Sequence, residues 1–361
     1  MSTTIEREKI GQKDNVYINI VIPGSSDNVS NIPATYNQTF NQAILADPSQ
    51  YYCSVIRFAL PLDTIPIQHF PVDTSQNNPN VTICTVYIKD AGYNTQAFGT
   101  LTSQQVIWQP ENSLTAPTPQ GSAPFFTPNQ TGSDYYNNFS IQNVVNMFNV
   151  AIQAAVTAAG LAVTAPYYSW NPATNLFSLT ISAGFAASGH SLGVNTAAQN
   201  YFDSFNVWED IQNHIFWYNT TLPSGASFPY TFSEDYTSID LWFDVRRIII
   251  QSNGLPILNE SIPVQNATTG QVSGVVVFSP ILTDYILPLS NPEDLKSVAV
   301  YVPTSQYRLV DMQSNAPLVK IDLTFFWQDK NGNQFPVNIS PRQQSSVKIA
   351  FLNKHLYARG K

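Results

Sequence analysis

Gly189-His190-Ser191-Leu192-Gly193 is the segment of this chain whose spacing comes nearest to catalysis. G-x-S-x-G is the nucleophile elbow of α/β-hydrolases, where a sharp strand-to-helix turn exposes the serine and the glycines relieve crowding. In that order the triad would be Ser191, then Asp240 or Asp284, then His355. Three features oppose it. The strand pattern over Phe177 to Ser182 ends early, with Ala183 to Ser188 intervening. The flanking chain lacks βαβ alternation. Gly and Ser are abundant nearby, so chance matches come easily. The alternative is a small-residue loop.

The other reactive residues do not form sets. His69, His190, His214 and His355 are scattered, and neither Cys53 nor Cys84 has a histidine at metal-ligand spacing. HExxH, paired CxxC, Walker and GxGxxG motifs are absent from the sequence. The expectation is no enzyme, no metal and no cofactor. Glu209-Asp210, Glu234-Asp235 and Glu293-Asp294 are acidic pairs without a full oxygen-ligand loop, which reads as solvated surface. Arg246-Arg247 falls in a strand pattern, so the two side chains should take opposite faces. From Arg342 to Lys361 there are five cations and no acid. That tail could touch genome phosphates or an acidic partner, or be a plain solvated end. The two cysteines could pair if adjacent strands carry them; two reduced, buried thiols are the expectation. The nine N-x-S/T triplets carry little meaning without a secretory signal.

The elements that must position these residues follow from composition. The chain has 361 residues, 43% of them apolar but only 11% charged, against a usual ~25% charged. Pro, at 25, outnumbers Gly, at 16, which suits short strands and turns. A net charge of −8 lacks the footprint of a general nucleic-acid binder. Met1 to Asp14 has no apolar h-region, so no signal peptide is read there. Val144 to Val163 is interrupted by polar residues and is not expected to span a membrane. Between Ala91 and Phe202 only Glu111 and Asp134 are ionised. This segment either meets neighbouring subunits or presents a polar, uncharged surface.

Residues 1–45 read as an extended arm with a short strand at Tyr17 to Ile22. Ser54, Ile56, Phe58 and Leu60 alternate with Val55, Arg57 and Ala59, and Val81 to Lys89 and Gln104 to Trp108 are further strand patterns. Pro110 to Pro128 reads as an exposed loop. One helix is predicted over about 141–159, capped by Ser140 and ended by Gly160. Phe202 to Tyr218 is aromatic and helix-permissive. Val319, Ile321, Leu323, Phe325 and Trp327 share a face, and Asn331-Gly332 offers a hairpin turn before a returning strand. Strands across the whole chain with one real helix predict an all-β antiparallel sandwich with insertions.

Three blocks together resemble one family: Ala34 to Ile67, Asn143 to Gly160 with Ala165 to Leu179, and Leu318 to His355. Ser54, Arg57, Phe58, Pro61, Asn149, Ala151, Lys348 and Phe351 match its motif positions. The chain resembles the minor capsid, or penton, protein of virophages and Polinton-like viruses. The resemblance implies a single jelly roll over 46–355, interrupted by an insertion at about 101–170, with a basic tail at 356–361. It implies a homopentamer at the five-fold vertex, docked to a double-jelly-roll major capsid protein and in reach of other minor capsid or internal virion proteins. Such a protein is made in the host cell interior and resides in the virion. Tyr17, Ile18, Tyr36, Arg57, Phe58, Arg246, Lys348 and Lys354 are the expected subunit or capsid contacts. Two other readings stand beside it: a receptor-binding or spike module carried by Pro110 to Pro128, and the hydrolase.

Overall fold

The computed structural model describes residues 14–26, 31–71, 84–92, 100–108, 135–265, 272–289, 291–303, 308–330 and 332–359. The Pro110–Pro128 loop, the first thirteen residues, Asn331 and the last two residues lie outside these. Two compact units emerge: residues 1–65, 245–288 and 293–361 form one, and 66–244 with 289–292 the other.

Among the described residues, eight strands of the first unit carry its two main sheets, alongside shorter or separate strands: β1 (Val16–Pro23), β2 (Thr35–Thr39), β3 (Tyr51–Pro61), β4 (Val245–Gln251), β5 (Ile281–Ile286), β6 (Val298–Tyr301), β7 (Lys320–Asp329) and β8 (Gln344–Asn353). Period-2 patterning makes them. In β7, Ile321, Leu323, Phe325 and Trp327 are buried while Lys320 is exposed. One antiparallel sheet runs β1-β8-β3-β6 and the other β2-β7-β4-β5. Strand orders 1-8-3-6 and 2-7-4-5 are the winding of a jelly roll. Phe58 of β3 joins the layers: its ring meets Tyr285 of β5 at 5.7 Å and Phe325 of β7 at 6.0 Å, both edge-on. It also stacks on Tyr301 of β6 at 5.1 Å.

Two bulges depart from simple alternation. Ile349 pairs with Val55 and the adjacent Lys348 with Arg57, so Ile56 is an extra residue in β3. Before it Tyr51, Cys53 and Val55 are buried; after it the buried set becomes Phe58 and Leu60. The uninterrupted alternation predicted for Ser54 to Leu60 is therefore corrected, since one unpaired residue flips every following side chain. Likewise Val245 pairs with Asp329 and Arg247 with Gln328, leaving Arg246 as the extra residue of β4.

The chain leaves the jelly roll after β3 and resumes it at β4, so the second unit is an insertion between these strands. The predicted insertion at 101–170 falls within this longer excursion. The excursion closes on itself: the Asp244 N–H donates to the Ile67 carbonyl at 3.0 Å, and the His69 N–H donates to the Asp244 carboxylate at 2.7 Å. Its five-stranded antiparallel sheet has the order Val207–Asp210, Ile215–Tyr218, Ser191–Asn195, Thr85–Lys89, Leu101–Gln105. A three-stranded sheet joins Tyr230–Ser233, Leu176–Ile181 and Tyr167–Asn171.

Helix α1 (Ile141–Ala158) forms as predicted. Ser140 Oγ accepts from the Asn143 N–H, Val144, Val145, Phe148, Ile152 and Val156 are buried, and Gly160 follows at φ +73°. Phe202 to Tyr218 is not helical. It is a hairpin whose turn is held by Asp210, which accepts from the Gln212 N–H and the Asn213 amide. Aromatic and β-branched residues there fit a pleated surface better than a helix face. The core is aromatic: Phe202 stacks on Tyr168 at 4.0 Å, Phe177 stacks on Trp242 at 4.4 Å, and Phe148 meets Phe202 edge-on at 5.0 Å.

Candidate capsid-contact surface

The G-x-S-x-G segment has the wrong sequence of elements for an elbow. Helix α2 (Ala183–Ala187) comes first, Gly189 turns at φ +72°, and Ser191 opens the strand Ser191–Asn195. An elbow runs strand to turn to helix. His190 Nδ1 faces Ser188, 3.0 Å from its carbonyl. Gly193 has a packing reason to be glycine: a Cβ there would lie 2.6 Å from the Trp217 ring. Of the other triad candidates, Asp284 and His355 have partners elsewhere. Asp284 holds Arg247 at 3.0 Å and Arg308 at 2.6 Å, and His355 Nε2 is 3.2 Å from Gln50 Oε1. The segment is a turn leading into a strand, where the alternative reading expected a small-residue loop.

Among the described residues, no three His, Cys, Asp or Glu side chains converge as a metal site, and no helix is long and apolar enough to cross a membrane. Cys53 and Cys84 are both free and buried. Burial pushes the Cys53 thiol up to about 12, and raises that of Cys84 as well. Neither is a ready thiolate.

The predicted contact residues divide by where the strands put them. On the outer face of β1-β8-β3-β6, Tyr17 is 54% exposed, and Lys348 Nζ lies 5.4 Å from its ring. Lys348 pairs in register with Asn19 on one side and exposed Arg57 on the other, which sets two cations side by side. The bulge at Ile56 is what turns Arg57 outward. Ile18 and Tyr36 are half-buried, and burial raises the Tyr36 hydroxyl above its usual value. Arg246 is exposed at its bulge, whereas Arg247 is tied to Asp284 and Gln328. Arg308 extends this group by bridging Asp284 and Glu260.

One assignment changes, and a second candidate is also held within the chain. Phe58 has no exposed surface, and its ring is enclosed by Tyr285, Tyr301 and Phe325. It is a core residue and not a contact. Lys354, at the start of helix α4 (Lys354–Arg359; α3 is Thr196–Gln199), is engaged within the chain. It pairs with Asp311 at 2.5 Å, donates to the Ser49 carbonyl and lies over the Tyr52 ring.

Sequence reasoning missed one apolar stretch of the surface. Val298 and Val300 of β6, with Val302 beyond it, are 52%, 57% and 57% exposed, while Ala299 between them is buried. The alternation was visible, but a run of apolar residues does not say which parity faces inward. Among the described residues β6 is an edge strand, pairing only with β3. The opposite edge, β1, shows Tyr17 and Val21.

Comparison with known proteins places this fold. The family model of the Sputnik minor capsid protein V18/19 matches residues 16–353. The chain belongs to this family. It is a minor capsid protein of the virophage type, a component of the virion capsid. It is 32% identical over 124 residues to structural protein V19 of Sputnik virophage, covering 34% of this chain and 55% of that relative. The chain thus spans about half the length of this curated relative. To protein V18 of the same virophage it is 33% identical over 166 residues, covering 44% of this chain and 92% of V18. A chain in the 3.5 Å cryo-EM structure of the Sputnik virophage superposes with TM-score 0.73 at 25% identity, covering 95% of this chain and 99% of that one. The crystal structure of the mavirus penton protein shares the fold, with TM-score 0.69, 16% identity, and 94% and 99% coverage.

Proposed function

We propose that this minor capsid protein is the penton, five copies of which close each icosahedral vertex against a double-jelly-roll major capsid protein. The supporting observation is that β1 and β6, the two edges of one sheet, display different apolar side chains. A ring needs a heterologous contact, in which one patch meets a second, different patch on the next copy. Tyr17 and Val21 on one edge and Val298 and Val300 on the other supply two such patches. Exposed apolar clusters of this kind are avoided on a free monomer. The Arg57–Lys348 cation pair adds a polar handle for an acidic neighbour in the capsid. Genome contact by the basic tail and contact with other internal virion proteins belong to the same reading. The work of the protein is docking, with no substrate turned over.

Native mass spectrometry of the full chain, alone and co-expressed with the major capsid protein, tests the proposal. A species of about 200 kDa, five times the 40.0 kDa chain, that disappears in Val300→Asp is expected. A trimer, or particles whose vertices assemble normally with Val300→Asp, overturns it.

A further inference from the structure

We propose that the inserted unit carries a binding site for a neutral sugar, one pyranose residue of an uncharged glycan. The site is a cavity of about 340 Å³, within the ~300–1,000 Å³ of ordinary small-ligand sites. Residues 66–244 form it by themselves, so it needs no second copy and does not depend on the penton reading.

The lining matches the two chemistries of a sugar ring, an apolar C–H face and a rim of hydroxyls. Tyr230 and Phe232 share one face of the strand Tyr230–Ser233 and are half-buried, their rings 4.8 Å apart and nearly perpendicular. The buried residues Phe205 and Tyr218 also line it. These aromatic surfaces suit a C–H face, and a tyrosine adds a polar tip. The rim is amide and carboxylate. Asn206 and Asn219 are exposed, and their loops are held together by the Asn219 N–H donating to the Asn206 carbonyl at 2.9 Å. The Asn219 side-chain oxygen already accepts from the backbone and hydroxyl of Thr221, at 3.1 and 2.8 Å. That fixes its amide and leaves the NH₂ as donor. Exposed Asp235 is the acceptor for ligand hydroxyls.

The same lining excludes other classes. Among the described residues, no Lys, Arg or His lines the cavity, while Asp235 is anionic. Phosphates, nucleotides and acidic sugars would meet repulsion without a counter-ion. A wholly apolar ligand would bury the amide and carboxylate rim unpaired.

Titration of the full chain with the methyl glycosides of glucose, galactose, mannose and N-acetylglucosamine tests the proposal, read by calorimetry and saturation-transfer NMR. Sialic acid and glucose 6-phosphate form the charged arm. At least one neutral glycoside should bind and both charged probes should not. Asp235→Asn, at an exposed position that keeps the fold by circular dichroism, should weaken binding about tenfold, as loss of a hydrogen bond to a charged group does. Tyr230→Ala should weaken it at least as much. Absence of binding by every neutral probe, preference for a charged one, or unchanged affinity in Asp235→Asn overturns the proposal.

Discussion

Asn149 of α1 and Tyr168 of the strand Tyr167–Asn171 exchange two hydrogen bonds. The Asn149 Nδ2 donates to the Tyr168 carbonyl at 2.9 Å, and the Tyr168 N–H donates to Asn149 Oδ1 at 2.7 Å. One side chain thus serves as a missing strand partner and locks the helix to the sheet. Asn149→Leu removes both bonds and strands a backbone donor and acceptor, each costing about 1–3 kcal/mol when buried. Hydrogen exchange should show the Tyr168 amide losing protection while amides of β7 and β8 keep theirs. Unchanged protection at Tyr168 would sink this account.

Phe58 holds the two jelly-roll sheets together, so its truncation should act on the whole first unit. Phe58→Ala is expected to destabilise by about 3–5 kcal/mol, and Phe58→Leu by less. Denaturant unfolding followed by a probe in β7 or β8 checks this. A surface-like effect below about 0.5 kcal/mol would contradict the enclosed position.

Glu234 makes the stability of the inserted unit depend on pH. Burial is the largest cause raising its carboxyl to about 7, against lowering by Ser238 and by the Phe177 N–H, which donate to it at 2.6 and 2.9 Å. With the folded pKa above the unfolded one, the folded state holds the proton longer. Stability is therefore greatest below about 4.5 on this account and falls as pH rises toward 7, where it levels off. Thermal melts between pH 4 and 8 should show that decline, and Glu234→Gln should flatten it. A variant with the same pH slope as the parent would rule the group out.

Ser191 and Gly193 should separate packing from chemistry. Ser191→Ala, at the start of a strand, is expected to change stability by less than about 0.5 kcal/mol. Any ester turnover in a purified sample should survive it, and its abolition would restore the hydrolase reading. Gly193→Ala drives a methyl into Trp217 and should cost about 1–3 kcal/mol, read as a lowered melting temperature.

The sequence made some of this visible because local signals and tertiary structure agree there. The cap at Ser140, the apolar stripe of α1 and the alternation of β7 each report a single face. What stayed hidden depends on a partner strand. Nothing in S-V-I-R-F-A-L announces that Ile56 is the extra residue, because the bulge is defined by Lys348 and Ile349 nearly three hundred positions later. Phe58 entered the contact candidates beside the family motif it matches, and a motif position does not say whether its side chain faces the core. Thr85–Lys89 looked like any other strand, and only its pairing with Ser191–Asn195 assigns it to the insertion. The cavity residues come from separate turns and strands with no common motif, so no spacing could have found them.

The bond from Asp244 to Ile67 fastens the outgoing and returning threads of the inserted unit at its base. A module that starts and finishes at one clasp can be lengthened, trimmed or exchanged while the jelly-roll strands keep their register, as grafts with adjacent ends are tolerated. The inserted unit therefore has a single attachment point in the chain, at which its sequence can vary without altering the strand pairing of the jelly roll.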